Sequence, residues 1–252
     1  MSPDDRRSPV GSRRPSEVVR VVALCVLTAC SGGSEGEPSE QDDELHQIGT
    51  LAALSAGEYA GSATLDDLLD HGDFGLGTFD RLDGEMIVLD GVVHQVPASG
   101  IAAEADGSVT TPFAAVTTWD SDSLHEFPDP MSCSDLQTGI DRLLDTDAPY
   151  GVKISGEFST LLTRSVDGQT PPYQPLADAL EGQIEFRLEQ VTATMVGFRL
   201  PDYMAESNAA GYHFHAVTED QRAGGHVLDC QTANVTVELD TIDTWQVELP
   251  PR

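Results

Sequence analysis

Three of the seven histidines in this chain fall within fourteen positions of one another. His213 and His215 are two residues apart, so on a β-strand both imidazoles leave the same face. The ten residues before His226 include Glu-Asp and Gly-Gly, residue types that allow a backbone to reverse direction. A hairpin would therefore place His226 beside the first pair. Since three neutral imidazoles commonly hold a catalytic zinc ion and leave a fourth position open, the segment predicts a zinc site.

Two other interpretations of these histidines compete with a three-histidine site. A histidine on a strand is often only a surface or hydrogen-bonded residue. The spacing of His213, His215 and Glu219 also matches part of a cupin metal motif, which makes a cupin-like metalloenzyme an alternative. A cupin needs a later block with Gly, Pro and His, whereas the residues from 228 onward contain no histidine and no proline before Pro250. A cupin also leaves His226 unexplained.

Several blocks of the chain, in the same order, resemble the acetolactate decarboxylase family. Gly-Tyr-His-Phe-His, followed by Arg-Ala-Gly-Gly-His-Val-Leu-Asp, is similar to the family's zinc-binding signature. Residues 74–91 resemble its first signature, and residues 112–117 and 186–197 are also similar to the family. The resemblance runs from about Ile48 to Leu249, and several ordered blocks are more specific than one His-x-His pair.

The resemblance implies a reaction and a set of functional residues. The reaction would be zinc-dependent decarboxylation of (S)-2-acetolactate to (R)-acetoin and CO2, through a metal-stabilised enediolate, in acetoin and butanediol metabolism. His213, His215 and His226 would bind Zn²⁺. Glu85 would handle a proton or orient the substrate hydroxyl, and Arg164 would hold the substrate carboxylate with paired hydrogen bonds.

The resemblance leaves two further site residues open. Thr78 could offer its hydroxyl to the substrate, although a structural hydrogen bond is an equal alternative. The family takes a second site glutamate from a C-terminal tail, which looks shorter in this sequence. Glu248 is the last acidic residue, so Glu248 or water is a candidate for that role.

The elements that must position these residues are mostly strands. Asp90-Gly91 predicts a hairpin turn within residues 85–96, and strands are expected at 113–119, 150–164, 184–191, 193–200, 211–217 and 227–239. Helical spacing is seen at 62–72, 133–145 and 176–180. The predicted fold class is therefore α+β with mainly antiparallel or mixed sheets. The family resemblance implies two sheet domains, 47–148 and 149–252, with the zinc site on the second facing a cleft, and a possible homodimer.

Composition argues against a nucleic-acid partner. The formal net charge is −30, with 43 acidic and 13 basic residues, and such a surface repels phosphate backbones. Two cysteines beyond residue 30, Cys133 and Cys230, could pair outside the cell, but spacing alone does not decide whether they do.

The N-terminal residues predict export. Five arginines precede a short apolar run ending at Cys30, and Leu27-Thr28-Ala29-Cys30 resembles a bacterial lipobox. We therefore predict a lipoprotein signal peptide at 1–29, lipidation of Cys30, a flexible acidic tether at 30–46 and anchoring to a bacterial membrane on its outer or periplasmic face. A non-catalytic surface lipoprotein that binds a small hydroxy-keto acid is a third functional alternative.

Overall fold

A computed structural model of the chain describes residues 43–249, which belong to one compact unit. The predicted signal peptide, the lipidation site at Cys30 and most of the predicted tether lie outside the described residues. None of the helices between residues 43 and 249 has the length and apolar character that crossing a membrane requires.

Strands dominate the described part of the chain, and the helices are few and short, which confirms a mostly-sheet α+β fold. The strands are β1 (Glu44–Ile48), β2 (Ala63–Thr64), β3 (Phe74–Thr78), β4 (Glu85–Leu89), β5 (Val92–Val96), β6 (Ala103–Glu104), β7 (Thr110–Thr111), β8 (Ala114–Thr117), β9 (Ser123–Phe127), β10 (Met131–Ser132), β11 (Tyr150–Ser165), β12 (Ile184–Leu200), β13 (Gly211–Thr218), β14 (Gly224–Thr241) and β15 (Thr244–Glu248). The α-helices are α1 (Leu51–Ser55), α2 (Leu65–Leu69), α3 (Cys133–Asp141) and α4 (Leu176–Leu180).

The first sheet has seven strands in the order β15-β1-β8-β3-β4-β5-β6. All its pairings are antiparallel except that of β1 with β15, which makes the sheet mixed. The β4–β5 hairpin turns at Asp90 and Gly91, whose φ angles are 52° and 74°. Positive φ at both central residues is the requirement of a tight hairpin turn, so the predicted turn is confirmed.

The second sheet consists of long antiparallel strands. β11 lies between β12 and β14, and β13 pairs with β12 along its whole length. The first residues of β14 also pair with β13, so these four strands close on themselves at one end. The three histidines of the sequence motif lie at this closed end, on β13 and β14.

The two sheets pack face to face through apolar side chains. One buried cluster joins Leu76 of the first sheet to Phe198 of the second, and another joins Ile87 to Val196. Burying a side chain of this size contributes about 1.5–3 kcal/mol. This packing holds β4 of the first sheet against the closed end of the second.

Helix α3 covers the other side of the second sheet. Its Leu136 and Ile140 are buried there, and Ser132 caps its first turn by accepting a hydrogen bond from the Asp135 amide. Cys133, at the start of α3, is joined by a disulfide to Cys230 of β14. The pairing that the sequence left undecided is therefore present in the structure.

Three boundaries differ from the sequence-based expectations. Helix α2 is shorter than predicted because Thr64 forms a capping box with Asp67, which keeps the preceding residues extended. The strands predicted at 184–191 and 193–200 are one strand, β12, because Val191, Thr192 and Ala193 all pair with β11. The predicted tether, 30–46, extends too far along the chain. Strand β1 already begins at Glu44, since Leu45 is buried in the core between the sheets.

The predicted division into domains at residues 148 and 149 stays a prediction. Strands of the first sheet precede residue 118 and those of the second follow residue 122, with one exception. That exception is β15, which returns from the end of the second sheet to pair with β1.

Candidate active site and metal centre

His213, His215 and His226, called the histidine triad below, converge at the closed end of the second sheet. His213 and His215 project from the same face of β13, and the β13–β14 hairpin sets His226 opposite His215 in the ladder. The Nδ1 atom of His226 lies 3.2 Å from Nε2 of His213 and 3.2 Å from Nε2 of His215. The structure therefore brings together the three side chains that the spacing suggested.

Two glycines allow β14 to approach its neighbours closely before His226. A Cβ on Gly224 would lie 2.1 Å from the carbonyl oxygen of Ala216, and one on Gly225 would lie 2.4 Å from that of Arg164. Gly225 also has a φ of +121°, which side chains rarely tolerate. These glycines let His226 pair with β13 and β11 at once.

The tautomer of His215 is set by the first sheet. Its Nδ1 atom lies 2.7 Å from the main-chain carbonyl oxygen of Met86 on β4. Because a carbonyl oxygen only accepts, the proton of neutral His215 sits on Nδ1, and the lone pair of Nε2 points toward the other two histidines. Such a hydrogen bond is the usual partner of a metal-binding imidazole.

Burial keeps the triad uncharged. It lowers the pKa of His213 to about 4, and it lowers the pKa values of His215 and His226 well below the ordinary value, with the neighbouring imidazoles adding to the effect. Neutral imidazoles are the form that binds a metal ion.

The donor set fits a divalent transition metal. The three converging nitrogens lie within 4.8 Å of one another. The two measured separations are close to the edge of a tetrahedron whose centre is about 2.0–2.1 Å from each nitrogen, the bond length of zinc to histidine.

Glu85, which is buried, and Arg164, which is partly buried, form an ion pair beside the triad. Nη1 of Arg164 donates to Oε1 of Glu85 over 2.6 Å, and Oε2 of Glu85 lies 3.3 Å from Nε2 of His215. Burial raises the pKa of Glu85 to about 7, although the Arg164 charge and hydrogen bond act in the opposite direction. The carboxyl group therefore lies between a fixed cation and the nitrogen that His215 presents to the triad.

The positions of Glu85 and Arg164 follow from pairing in different sheets. Glu85 begins β4 and pairs with Thr78 of β3, whereas Arg164 lies near the end of β11 and pairs with His226. Thr78 is buried, and its hydroxyl donates to the carbonyl oxygen of Gly84 over 2.8 Å. The hydroxyl thus holds the turn that leads into Glu85, and its role as a substrate ligand stays a prediction.

A cavity of ≈ 220 Å³ opens onto these groups. Its polar lining comprises Thr78, Glu85, Arg164, Tyr212 and the histidine triad. Its apolar lining comprises Leu51, Leu54, Leu82, Phe113, Leu176 and Leu180. The sequence did not predict that Tyr212 or the apolar residues line the cavity. The one signal for Tyr212 was its position next to His213.

Two acidic residues considered from the sequence lie elsewhere. Glu219 is exposed in the turn after β13 and does not join the triad, which removes the support for a cupin-like ligand set. Glu248 ends β15, where its Oε2 atom lies 3.9 Å from Nε2 of His46, and it does not line the cavity. Among residues 43–249, Glu85 is therefore the only glutamate that the structure places at the triad.

Fold and site together define a two-sheet α+β protein with a candidate three-histidine metal centre beside a buried carboxylate and a partly buried guanidinium. The chain belongs to the family described as Alpha-acetolactate decarboxylase, which matches residues 45–252. This membership confirms the resemblance that the sequence blocks indicated.

Individual relatives agree with the family match. The chain is 43% identical to the alpha-acetolactate decarboxylase of Methanosarcina mazei, over 82% of this chain and 73% of that protein. It is 40% identical to that of Raoultella terrigena, over 83% of this chain and 81% of that protein. The crystal structure of alpha-acetolactate decarboxylase from Bacillus subtilis strain 168 superposes with a TM-score of 0.81 at 32% identity, covering 83% of this chain and 90% of that one.

Proposed function

We propose that this protein decarboxylates (S)-2-acetolactate to (R)-acetoin and CO2 with the help of a zinc ion held by the histidine triad. The observation that carries the proposal is the convergence of the three ring nitrogens on one point, next to a buried carboxyl group and a partly buried guanidinium. Membership of the family supports the reaction, and the neutral, oriented imidazoles support the metal.

The chemistry needs a stabiliser for negative charge. When the bond between the carboxyl carbon and C2 breaks, CO2 leaves and the electron pair stays on the C2–C3 unit, which then takes up a proton at C2. A divalent ion bound by the triad would polarise the adjacent hydroxyl and keto oxygens and stabilise that negative charge. Because the three imidazoles are neutral, they would not cancel the positive charge of the ion.

Arg164 is proposed to orient the substrate. Its guanidinium lines the cavity, and Glu85 accepts a hydrogen bond from one of its nitrogens, which fixes the plane of the group. A guanidinium presents further donors in a rigid fork that matches a carboxylate. Holding the departing carboxylate at a defined angle reduces the entropy that the reaction must lose.

Glu85 is proposed to handle the proton. It is 5% exposed, faces the cavity and lies within 3.3 Å of the triad, so a substrate bound there would lie within its reach. The apolar wall formed by α1, α4 and Phe113 would exclude water and reduce the chance of protonation from the wrong side. Thr78 is proposed to add a hydroxyl contact at the edge of the same cavity.

The proposal is tested by offering racemic acetolactate to the purified chain and following acetoin by chiral gas chromatography. We expect (R)-acetoin well above the spontaneous rate and consumption of one enantiomer of the substrate first. A protein that binds metal without forming acetoin would support the alternative of a non-catalytic binding protein. Equal rates with and without the protein would contradict the proposal.

The predicted lipid anchor is a separate proposal, supported by the apolar run and by Leu27-Thr28-Ala29-Cys30. Cys30→Ser in the full-length chain, expressed in a bacterium fed labelled palmitate, should lose the label that the unchanged chain incorporates. A chain that is exported without incorporating palmitate would contradict the anchor but not the decarboxylase.

A further inference from the structure

A second group of metal-binding side chains lies on the first sheet. Glu44 and His46 are two residues apart on β1 and leave the same face of the strand, and His71 follows α2. One ligand atom from each of the three lies within 4.8 Å of the others. None of the three lines the cavity at the histidine triad.

His46 is the most unusual member of this group. It is 1% exposed, and neither of its ring nitrogens has a hydrogen-bond partner among residues 43–249. A buried polar atom without a partner is costly, and most such atoms in proteins are satisfied. The ring of His46 stacks on that of His71, with centroids 3.7 Å apart and planes 5° from parallel.

Two carboxylates, those of Glu44 and Glu248, lie near the imidazoles of His46 and His71. Glu44 lies on the same strand face, and Oε2 of Glu248 on β15 lies 3.9 Å from Nε2 of His46, beyond hydrogen-bond length. The parallel register places Glu248 beside Ile48, on the same side as His46. Two imidazoles with flanking carboxylates match the ligand preferences of divalent transition metals such as zinc.

We propose that Glu44, His46 and His71 form a second divalent-metal site, of the zinc class, with Glu248 at its edge. A metal ion lies in the plane of a ligating imidazole, so the half-buried His71 ring must turn out of its stack on His46 when the ion binds. The ion would satisfy a nitrogen of His46 and would join β1, the end of α2 and β15, three segments far apart in the chain.

The proposal is tested by equilibrium dialysis of the metal-depleted chain against Zn²⁺, followed by metal analysis. We expect two equivalents of zinc in the unchanged chain, one in His71→Ala, one in His213→Ala and none in the double variant. The His71→Ala chain should keep the acetoin-forming rate of the unchanged chain, because the site is separate from the cavity. His125→Ala, a change at a histidine of β9, is the control and should keep two equivalents.

A second variant distinguishes a loss of zinc binding from a loss of the fold. Glu44→Gln keeps the size of the side chain and should weaken zinc binding at this site at least tenfold without changing the far-ultraviolet circular dichroism. One equivalent in the unchanged chain that His213→Ala loses and His71→Ala keeps, or two that persist in both His71→Ala and Glu44→Gln, would overturn the proposal. Neither outcome depends on whether the triad decarboxylates acetolactate.

Discussion

The main-chain carbonyl oxygen of Met86 accepts a hydrogen bond from Nδ1 of His215 over 2.7 Å. The two residues belong to different sheets, and Met86 directly follows Glu85. One contact therefore orients a triad imidazole and fixes it relative to the carboxyl group that we assign to proton transfer. Packing between the sheets therefore sets the geometry of the site, because the site takes residues from both sheets.

Arg164→Lys tests the assignment of the guanidinium to the substrate carboxylate. An ammonium keeps the charge but cannot form two parallel hydrogen bonds to a carboxylate. We expect kcat/KM to fall by about 10- to 100-fold, which corresponds to about 1.4–2.8 kcal/mol, with metal content unchanged. Steady-state kinetics check this, and Arg187→Lys, at an exposed arginine paired with Glu189, should have no effect. Full activity in Arg164→Lys would remove this role.

Glu85→Gln tests the proton-transfer role. The amide has the same size but cannot take up or release a proton, so we expect kcat to fall by about 10²–10⁴-fold. The zinc content should not change, because the three imidazoles remain. Metal analysis and acetoin assays on the same preparation check both parts. Glu157→Gln, at an exposed carboxylate of β11, is the matched control, and a fall of kcat in both variants would count against a specific role for Glu85.

Asp240→Asn tests a pH dependence of stability that has no connection with the site. Burial raises the pKa of Asp240 from 3.8 to about 7, the nearby carboxylates of Asp122, Asp43 and Asp120 add to the rise, and its Oδ1 atom lacks a hydrogen-bond partner among residues 43–249. The folded pKa lies above the unfolded one, so folding favours the protonated form and stability falls as the pH rises from about 4 to about 7.

The asparagine variant should therefore be more stable than the unchanged chain at pH 8, by at most about 4 kcal/mol, and nearly equal to it at pH 4. Urea unfolding at the two pH values measures the difference. Asp129→Asn, at an exposed aspartate, should change stability equally little at both. A variant that is less stable than the unchanged chain at pH 8 would show that the buried charge is compensated.

Removal of the disulfide tests its contribution to stability. Cys133 and Cys230 are 97 residues apart in the chain, and the pair is buried in the core between α3 and the second sheet. The double change to alanine should lower the free energy of unfolding by about 3–5 kcal/mol. Thermal unfolding measures this, and alkylation of the unreduced chain should find neither thiol free. Acetoin formation at 25 °C should persist, because neither cysteine lines the cavity.

The histidine triad could be predicted from sequence because two of its members share a strand face and the third follows a tight hairpin. Local periodicity and turn chemistry contain that information. Glu85 could be singled out only through the family resemblance, since one carboxylate among 43 acidic residues carries no local signal, whereas Arg164 was also one of few basic residues and lay beside an apolar stretch. Their 2.6 Å contact joins strands of different sheets and is not expressed in any local pattern.

His46 and His71 show the limit of sequence-based prediction most clearly. They are separated by two helices and a strand, and their contact depends on β1 lying between β8 and β15. The polar and acidic residues at the start of β1 favour a tether, although Leu45 anchors the strand in the core. The order of strands in a sheet is a long-range property, so neither the stack nor the partial approach of Glu248 could be anticipated.

The most direct test of the central claim is acetoin formation by the metal-depleted chain as Zn²⁺ is added back. The depleted chain should form acetoin only at the spontaneous rate, and activity should rise with zinc until the histidine triad is filled. His213→Ala should gain no activity at any zinc concentration. A depleted chain that turns over acetolactate at full rate, or a His213→Ala chain that does so with zinc, would contradict a reaction at a metal held by these three histidines.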